Sequence, residues 1–323
     1  MSVIIPTYLR PDLLMRALGS ALTQTVGAIE VIVVVDGRDS ESVEAVEAAR
    51  DSRVIVHMPQ THLGNADARN AGVRLSRARW IALLDDDDEW LPRKLEIQLA
   101  AADAATITNP IVCCRLVARG DGGDLVWPRR RVREGEPLSD YFFCRRTPFT
   151  GEGMVINSAI LTSRELLLRV PFRSGLTRHV DPDWLLRAAR EADAGLVLVD
   201  EQEPLLIWHV ESDRPRITNQ RNWKESLAWC SENRNLFTRR AYAAFVLHVV
   251  GSAAAAQGER SAFRALLREA FAQGRPALVD LVSHVGNFFL PRSAQQRLAR
   301  LYGRLAPASR KDTYSPAGQR KAA

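Results

Sequence analysis

Cysteine is scarce in this chain. Cys113, Cys114, Cys144 and Cys230 show no Cys-x-x-Cys spacing, so reduced, structural thiols are the expectation. Long apolar runs are missing too. Nothing approaches the roughly 20 residues that a membrane span requires. The opening Ser2-Val3-Ile4-Ile5-Pro6 reads as a buried strand, not as a charged leader with a cleavage site. A cytoplasmic protein is expected. Internal repeats are absent. Excess positive charge is absent from most of the chain as well. From Pro291 onward there are eight Lys/Arg against one acid, +7, while the whole chain carries +6, which leaves −1 for residues 1–290. A near-neutral body argues against nucleic acid as a partner, and the basic tail points to an anionic surface.

What is present is ordinary globular composition, 46% hydrophobic and 25% charged over 323 residues. That length suggests two domains, or one large domain with an appendage. Strands alternate with helices from the start. Val3–Ile5 is a β-branched run. Pro11 opens a helix with Leu13, Leu14, Ala17, Leu18 and Ala21 at helical spacing. Val31–Val35 is a continuous apolar run, typical of a parallel strand covered on both faces. Helices over 40–50 and 65–77 and strands over 53–57 and 80–84 complete a βαβα series. That series predicts an open, mostly parallel sheet with helices on both faces. Beyond residue 105 the pattern is mixed. A strand is predicted over 111–117, a mobile loop over the basic run 127–133, a helix over 183–192 and strands over 196–199 and 204–210. Helices follow over 221–236, 239–256, 260–273, 276–290 and 292–305, ahead of a disordered tail.

Ligands in such sheets bind outside the carboxyl ends of the strands. Those ends carry Pro6-Thr7-Tyr8, Asp36-Gly37 and the run Asp85-Asp86-Asp87-Asp88. Four adjacent carboxylates at a sheet rim repel one another, and a divalent cation is the usual remedy. Hard oxygen ligands favour Mg²⁺ or Mn²⁺, which commonly take a substrate's phosphates as further ligands. The bland alternative is a solvated acidic turn capping the next helix. The strand–acid–helix context favours a metal–diphosphate site.

The segments Ser2–Tyr8, Val34-Val35-Asp36-Gly37, Ala68-Arg69-Asn70-Ala71-Gly72, Ala82–Pro92 and Val180–Arg187 resemble the family 2 inverting glycosyltransferases of the GT-A fold. The likeness is strong over residues 1–100, fair to about residue 210 and weak beyond. It implies a catalytic domain over 1–215, with a donor half over 1–105 and an acceptor half over 106–215. A helical accessory region over 216–308 and a tail over 309–323 would follow. The implied activity is metal-dependent, inverting transfer of a hexose-type sugar from a nucleoside-diphosphate sugar, UDP being the expected nucleotide. The acceptor would be a hydroxyl on a glycan, a lipid-linked saccharide or another molecule.

The resemblance also assigns roles. Pro6, Thr7 and Tyr8 would line the base and ribose, and Asp36 would accept from a uracil N–H or a ribose hydroxyl. Arg69 would lie near the nucleotide. Asp85-Asp86-Asp87 would be the Asp-x-Asp unit, with Asp85 facing the ribose and Asp87 holding Mn²⁺ or Mg²⁺. A shifted register, Asp86 and Asp88, stays open. Asp181 is the candidate base that deprotonates the acceptor, with Asp183 as the fallback, although both would also suit a helix N-terminus. His209 is a second candidate metal ligand, set against a structural histidine. The Gly37-Arg38-Asp39 that follows Asp36 departs from the family pattern.

Two rivals stand beside this reading. A sugar-1-phosphate nucleotidyltransferase usually has a Gly-rich basic loop after its first strand, and Tyr8-Leu9-Arg10-Pro11 is not one. A non-catalytic nucleotide-sugar-binding scaffold would keep the donor site, and an intact Asp181 counts against it. Finally, Leu278, Leu281, Val282, Val285 and Phe289 share one helical face ahead of the basic tail. Peripheral contact with the inner membrane surface is one expectation for that face. Packing on the body or on a homodimer partner is the other.

Overall fold

The computed structural model describes residues 1–121, 123–147, 152–200, 203–210, 222–291 and 294. Apart from residue 294, the expected helix over 292–305 and the tail lie outside the described residues. In chain order the first half runs β1 (Ser2–Thr7), α1 (Pro11–Leu22), β2 (Glu30–Val35), α2 (Ser40–Ala48), β3 (Val54–His57), α3 (Asn65–Leu75), β4 (Trp80–Leu83), β5 (Glu89–Trp90), α4 (Lys94–Asp103) and β6 (Asn109–Cys113). Then come β7 (Leu116–Arg119), β8 (Leu125–Trp127), α5 (Leu138–Phe143), β9 (Ile160–Ser163), α6 (Arg164–Arg169), α7 (Val180–Ala188), β10 (Ala194–Leu198) and β11 (Leu206–His209). The C-terminal helices are α8 (Trp223–Glu232), α9 (Arg239–Phe245), α10 (Gly251–Ala256), α11 (Ala262–Gln273) and α12 (Leu278–Phe289).

The main sheet has the order β10-β6-β9-β4-β1-β2-β3. All its strands are parallel except β9, which is antiparallel to both neighbours. Period-two alternation sends Val3, Ile5, Val31, Val33 and Val35 into one core cluster. It sends Ile4, Ile32 and Val34 into the opposite one. Both faces are therefore buried, as continuous apolar strands require. Gly72 lets α3 approach the sheet, since a Cβ there would lie 2.5 Å from Ile4 Cγ2. Because β1, β2 and β4 are parallel, their carboxyl ends open on one side.

Three expectations are corrected. The strand expected over 111–117 is two strands: the chain leaves the main sheet at Cys114-Arg115, and β7 joins a second sheet of order β5-β11-β7-β8. The basic run is not a loose loop. Arg130 is clamped by Glu136 and Glu152, at 2.6 and 3.1 Å, and its carbonyl accepts from Tyr141 Oη. The helix expected over 239–256 is interrupted by a π-helical turn at Val246–Val250. A third core cluster, built on Trp229, Phe237, Tyr242, Phe245 and Leu247, belongs to the C-terminal helices. No described helix is long and apolar enough to cross a membrane.

Candidate active site

The carboxyl ends of β1 and β4, the N-terminus of α3 and the N-terminus of α7 surround a cavity of about 630 Å³. Its wall includes Pro6, Arg10, Arg69, Asp85, Asp86, Asp87 and Asp181. The four aspartates that leave β4 sort into two pairs. Asp86 and Asp88 are 1% exposed, while Asp85 and Asp87 keep 27% and 22% of their side chains accessible.

The inner pair is held by the scaffold. Asp86 accepts from Thr7 Oγ1 at 2.7 Å and pairs with Arg10 at 2.7 Å. Burial pushes its carboxyl up to about 7, against the pull of Arg10. Asp88 accepts from Ser158 Oγ, and its other oxygen has no partner. Burial and the charges of Asp87 and Asp85 raise it well above the carboxylate range. Of the two registers, only Asp85 and Asp87 therefore present both their carboxylates to the cavity.

The outer pair meets arginine. Arg69, on α3, is 1% exposed and pairs with Asp85, while its Nε and Nη1 are without hydrogen-bond partners. Burial alone would lower the Arg69 pKa, but the charges of Asp85, Asp181 and Asp86 outweigh it and hold the guanidinium charged. Arg10 reaches Asp87 at 3.4 Å, and Arg16 donates to the Asp87 carbonyl at 2.6 Å.

Asp181 lies in the first turn of α7, one turn earlier than the sequence pattern placed the helix. Its two oxygens accept from the Asn157 N–H at 3.1 Å and from Asn157 Nδ2 at 2.7 Å. Desolvation and the nearby charge of Asp85 raise its carboxyl to about 6, with Arg69 opposing. Its neighbour Asp183 is different. It is fully buried and does not line the cavity. Arg187 holds it at 2.8 Å, Trp229 Nε1 at 3.0 Å and Arg173 at 3.4 Å. The fallback base is thus a structural carboxylate that ties α7 to α8. His179, two residues before Asp181, has a φ of 59° and donates to or accepts from Ser226 of α8 at 2.8 Å. Its ring stacks on Trp229 at 4.8 Å, and burial lowers its pKa to about 4.

Other sequence expectations are redistributed. Of the first-strand trio only Pro6 lines the cavity. Thr7 is turned onto Asp86, and Tyr8 packs on His62 with ring centroids 4.5 Å apart. Asp36 is 3% exposed and accepts from the Leu63 and Gly64 N–H groups at 2.6 and 2.8 Å, with His62 at 3.0 Å. It shapes the loop before α3, and that loop lines the cavity. His209 is 3.5 Å from Glu89, while strand alternation puts its neighbour Trp208 on the cavity wall instead. Among the described residues no group of three or more His, Cys, Asp and Glu is arranged to hold a metal. Sequence reasoning missed Arg10, Asn157 and Ser158. Arg10 stands two residues beyond the first-strand motif; Asn157 and Ser158 sit in an irregular stretch without a pattern.

An open sheet with an acidic strand end and a carboxylate at a facing helix start defines a glycosyltransferase of the GT-A fold. The chain belongs to glycosyl transferase family 2, which matches residues 2–170, over half of its length. The amylovoran biosynthesis glycosyltransferase AmsB of Erwinia amylovora is 28% identical over 248 residues, 74% of this chain and 79% of that protein. An Escherichia coli enzyme, UDP-Glc:alpha-D-GlcNAc-diphosphoundecaprenol beta-1,3-glucosyltransferase WfaP, is 34% identical over 98 residues, which span 30% of this chain and 39% of that one. Among solved structures, the mannosyltransferase PcManGT of Pyrobaculum calidifontis, in complex with GDP-Man and Mn²⁺, superposes with a TM-score of 0.58 at 17% identity. That alignment covers 94% of this chain and 84% of the other, and it speaks to the fold alone.

Proposed function

We propose that this glycosyltransferase moves a sugar from a nucleoside diphosphate, UDP in the first instance, to an acceptor hydroxyl with inversion, and that Asp181 is the base. The observation that carries this is the position of Asp181. It shares one cavity with the acidic strand end, and its carboxyl is raised to about 6. A base must lose its proton before the acceptor arrives and gain one as the acceptor attacks. A pKa near the working pH suits both demands. Asn157 fixes both oxygens with N–H donors, so the carboxylate is oriented by neutral groups, with Arg69 as a nearby charge.

A cavity of this size accommodates a nucleotide sugar. Arg69 lines the cavity with a charged guanidinium, suited to attract a phosphate. The donor set also fits a hard divalent ion. Asp87, with Asp85 beside it, offers carboxylate oxygens, and fewer than three protein ligands is normal for Mn²⁺ or Mg²⁺ that keeps water and phosphate oxygens. When bound, such an ion neutralises the departing diphosphate. The Mn²⁺ and GDP-Man of the archaeal neighbour agree with this reading. In this proposal residues 1–105 bind the donor and residues 106–215 face the acceptor. A lipid-linked saccharide is the acceptor class suggested by the name of the E. coli relative.

The test is Asp181→Asn, which keeps size and removes the base. Turnover is expected to fall by about 10²-fold or more with donor affinity little changed. NMR of the product should show the opposite anomeric configuration to the donor. Retention of configuration, or near-normal turnover of the variant, would sink the proposal.

A further inference from the structure

The helix α12 is amphipathic in an unusual sense: both of its faces carry apolar residues, but only one is covered. Asp280, Ser283 and His284 are buried, and Leu281 and Phe288 pack on the third core cluster. Leu278, Val282, Val285 and Phe289 follow at helical spacing and form the opposite stripe. They are 76%, 50%, 48% and 67% exposed, and none of them packs on a core cluster. The neighbouring α11 adds to this surface. Phe263 of α11 packs its ring on Phe288 and Phe289, which keeps the two helices side by side. On α11 the exposed residues Arg264, Arg268 and Phe271 fall within a narrow arc at 100° per residue, and Arg275 is exposed in the link to α12. Phe271 is itself 58% exposed. Beyond α12 the sequence of residues 291–323 carries +7.

We infer that this surface is a docking face for an anionic lipid bilayer. Its partner has to be apolar and negative at once. The interface of an anionic membrane offers acyl chains for the stripe and headgroups for the arginines. A second copy of the chain would bring the same positive charge against its own, which opposes a symmetric pairing. At 12 residues α12 is about 18 Å long, short of the roughly 30 Å hydrocarbon core, so it lies along the surface. This inference does not depend on the identity of donor or acceptor, since binding needs no turnover.

The experiment is flotation of the full chain with vesicles of phosphatidylcholine alone and of phosphatidylcholine with phosphatidylglycerol, each at low and high salt. The full chain should float with the anionic vesicles at low salt and lose much of that binding at high salt. Leu278→Glu with Val285→Glu should lower the bound fraction at least about tenfold. Both positions lie outside the core clusters, so the melting temperature should hold. Arg264→Glu with Arg268→Glu should weaken binding to anionic vesicles and leave the weak binding to neutral ones unchanged. No flotation of the full chain, or equal flotation of the Leu278/Val285 variant, would overturn the inference. So would a dimer in solution that this variant dissociates while vesicles capture neither form.

Discussion

Asp181 and Asp280 both stand in the first turn of a helix and both are withdrawn from bulk water, yet their environments pull in opposite directions. Asp280 is fully buried between α12, α9 and the π-helical turn. It accepts from the Ala277 N–H at 2.8 Å and from His248 at 2.8 Å, and Arg240 grips both of its oxygens. Burial would raise its pKa, but these donors outweigh it and the carboxyl is lowered. Asp181 has two neutral donors from Asn157 and a second carboxylate, Asp85, as an electrostatic neighbour, and it is raised. On the proposed mechanism, the difference separates an acid that holds the fold from one kept available for a proton. Complete pairing marks the first, and a charge left uncomfortable at a cavity wall marks the second.

The largest effect that would sharpen this contrast is a crossed pair of variants. Asp181→Asn should cost about 10² in turnover and leave the melting temperature nearly unchanged. Asp280→Asn should do the reverse. It leaves Arg240 and His248 without their anion, a loss of about 3 kcal/mol or roughly 6 °C, with turnover per folded molecule maintained. If Asp280→Asn abolished turnover in fully folded protein, the separation of roles would break.

The same pair should differ in pH dependence. With Asp181 as the proposed base, its carboxylate must be ionised, so kcat/KM should fall as pH drops below about 6, by about tenfold per unit, and the fall should disappear in Asp181→Asn. For Asp280 the folded pKa lies below its ordinary 3.8. Its stabilisation is therefore complete above that value and is lost as pH falls through the folded pKa. The gap in melting temperature between the native chain and Asp280→Asn should narrow only in that acid range. A gap that already closes near pH 6 would mean another group is responsible.

Next comes the register of the acidic run. Asp87→Ala should remove most of the stabilisation that UDP with Mn²⁺ gives in a thermal-shift assay, and Asp88→Ala should remove less of it. The opposite ranking would make the inner pair the ligands. Smallest is Trp229→Phe, which deletes one hydrogen bond to Asp183 and so loosens the start of α7. Stability should fall by about 1 kcal/mol. Turnover should fall several-fold with KM nearly constant, because Asp183 sits two residues from the proposed base, Asp181. A change in stability without any change in kcat would leave Trp229 a packing residue only.

The sequence carried the parallel half of the sheet because runs such as Val31–Val35 can be satisfied only with both faces covered. It carried the acidic strand end for the complementary reason that no packed core explains Asp85–Asp88. Side-chain direction was not legible. Thr7 and Asp36 sit at the strand ends as expected, but one turns onto Asp86 and the other onto the backbone of Leu63 and Gly64. Nothing in the string Asn157-Ser158 announces a residue that orients Asp181 and another whose hydroxyl accepts from the Asp85 N–H at 3.0 Å and donates to Asp88. The strand β9 escaped because Ile160-Leu161-Thr162-Ser163 is short and its partners, Trp80–Ala82 and Val112-Cys113, lie far earlier in the chain. The register of α7 was late by one turn, since Pro182 reads as a start signal while the chain already turns at Val180.

The reversed strand β9 has a consequence for how this chain is made. It lies between β4 and β6. While the chain is emerging from the ribosome, β4 is complete at residue 83, but one edge stays open until residue 163 follows. An open edge of a buried, apolar strand is a template for any other strand nearby. The segment 1–105 should accordingly be insoluble when expressed alone. It should become soluble when residues 106–210 are supplied in the same cell. The nascent enzyme, meanwhile, is most exposed to holding chaperones during the synthesis of that intervening stretch.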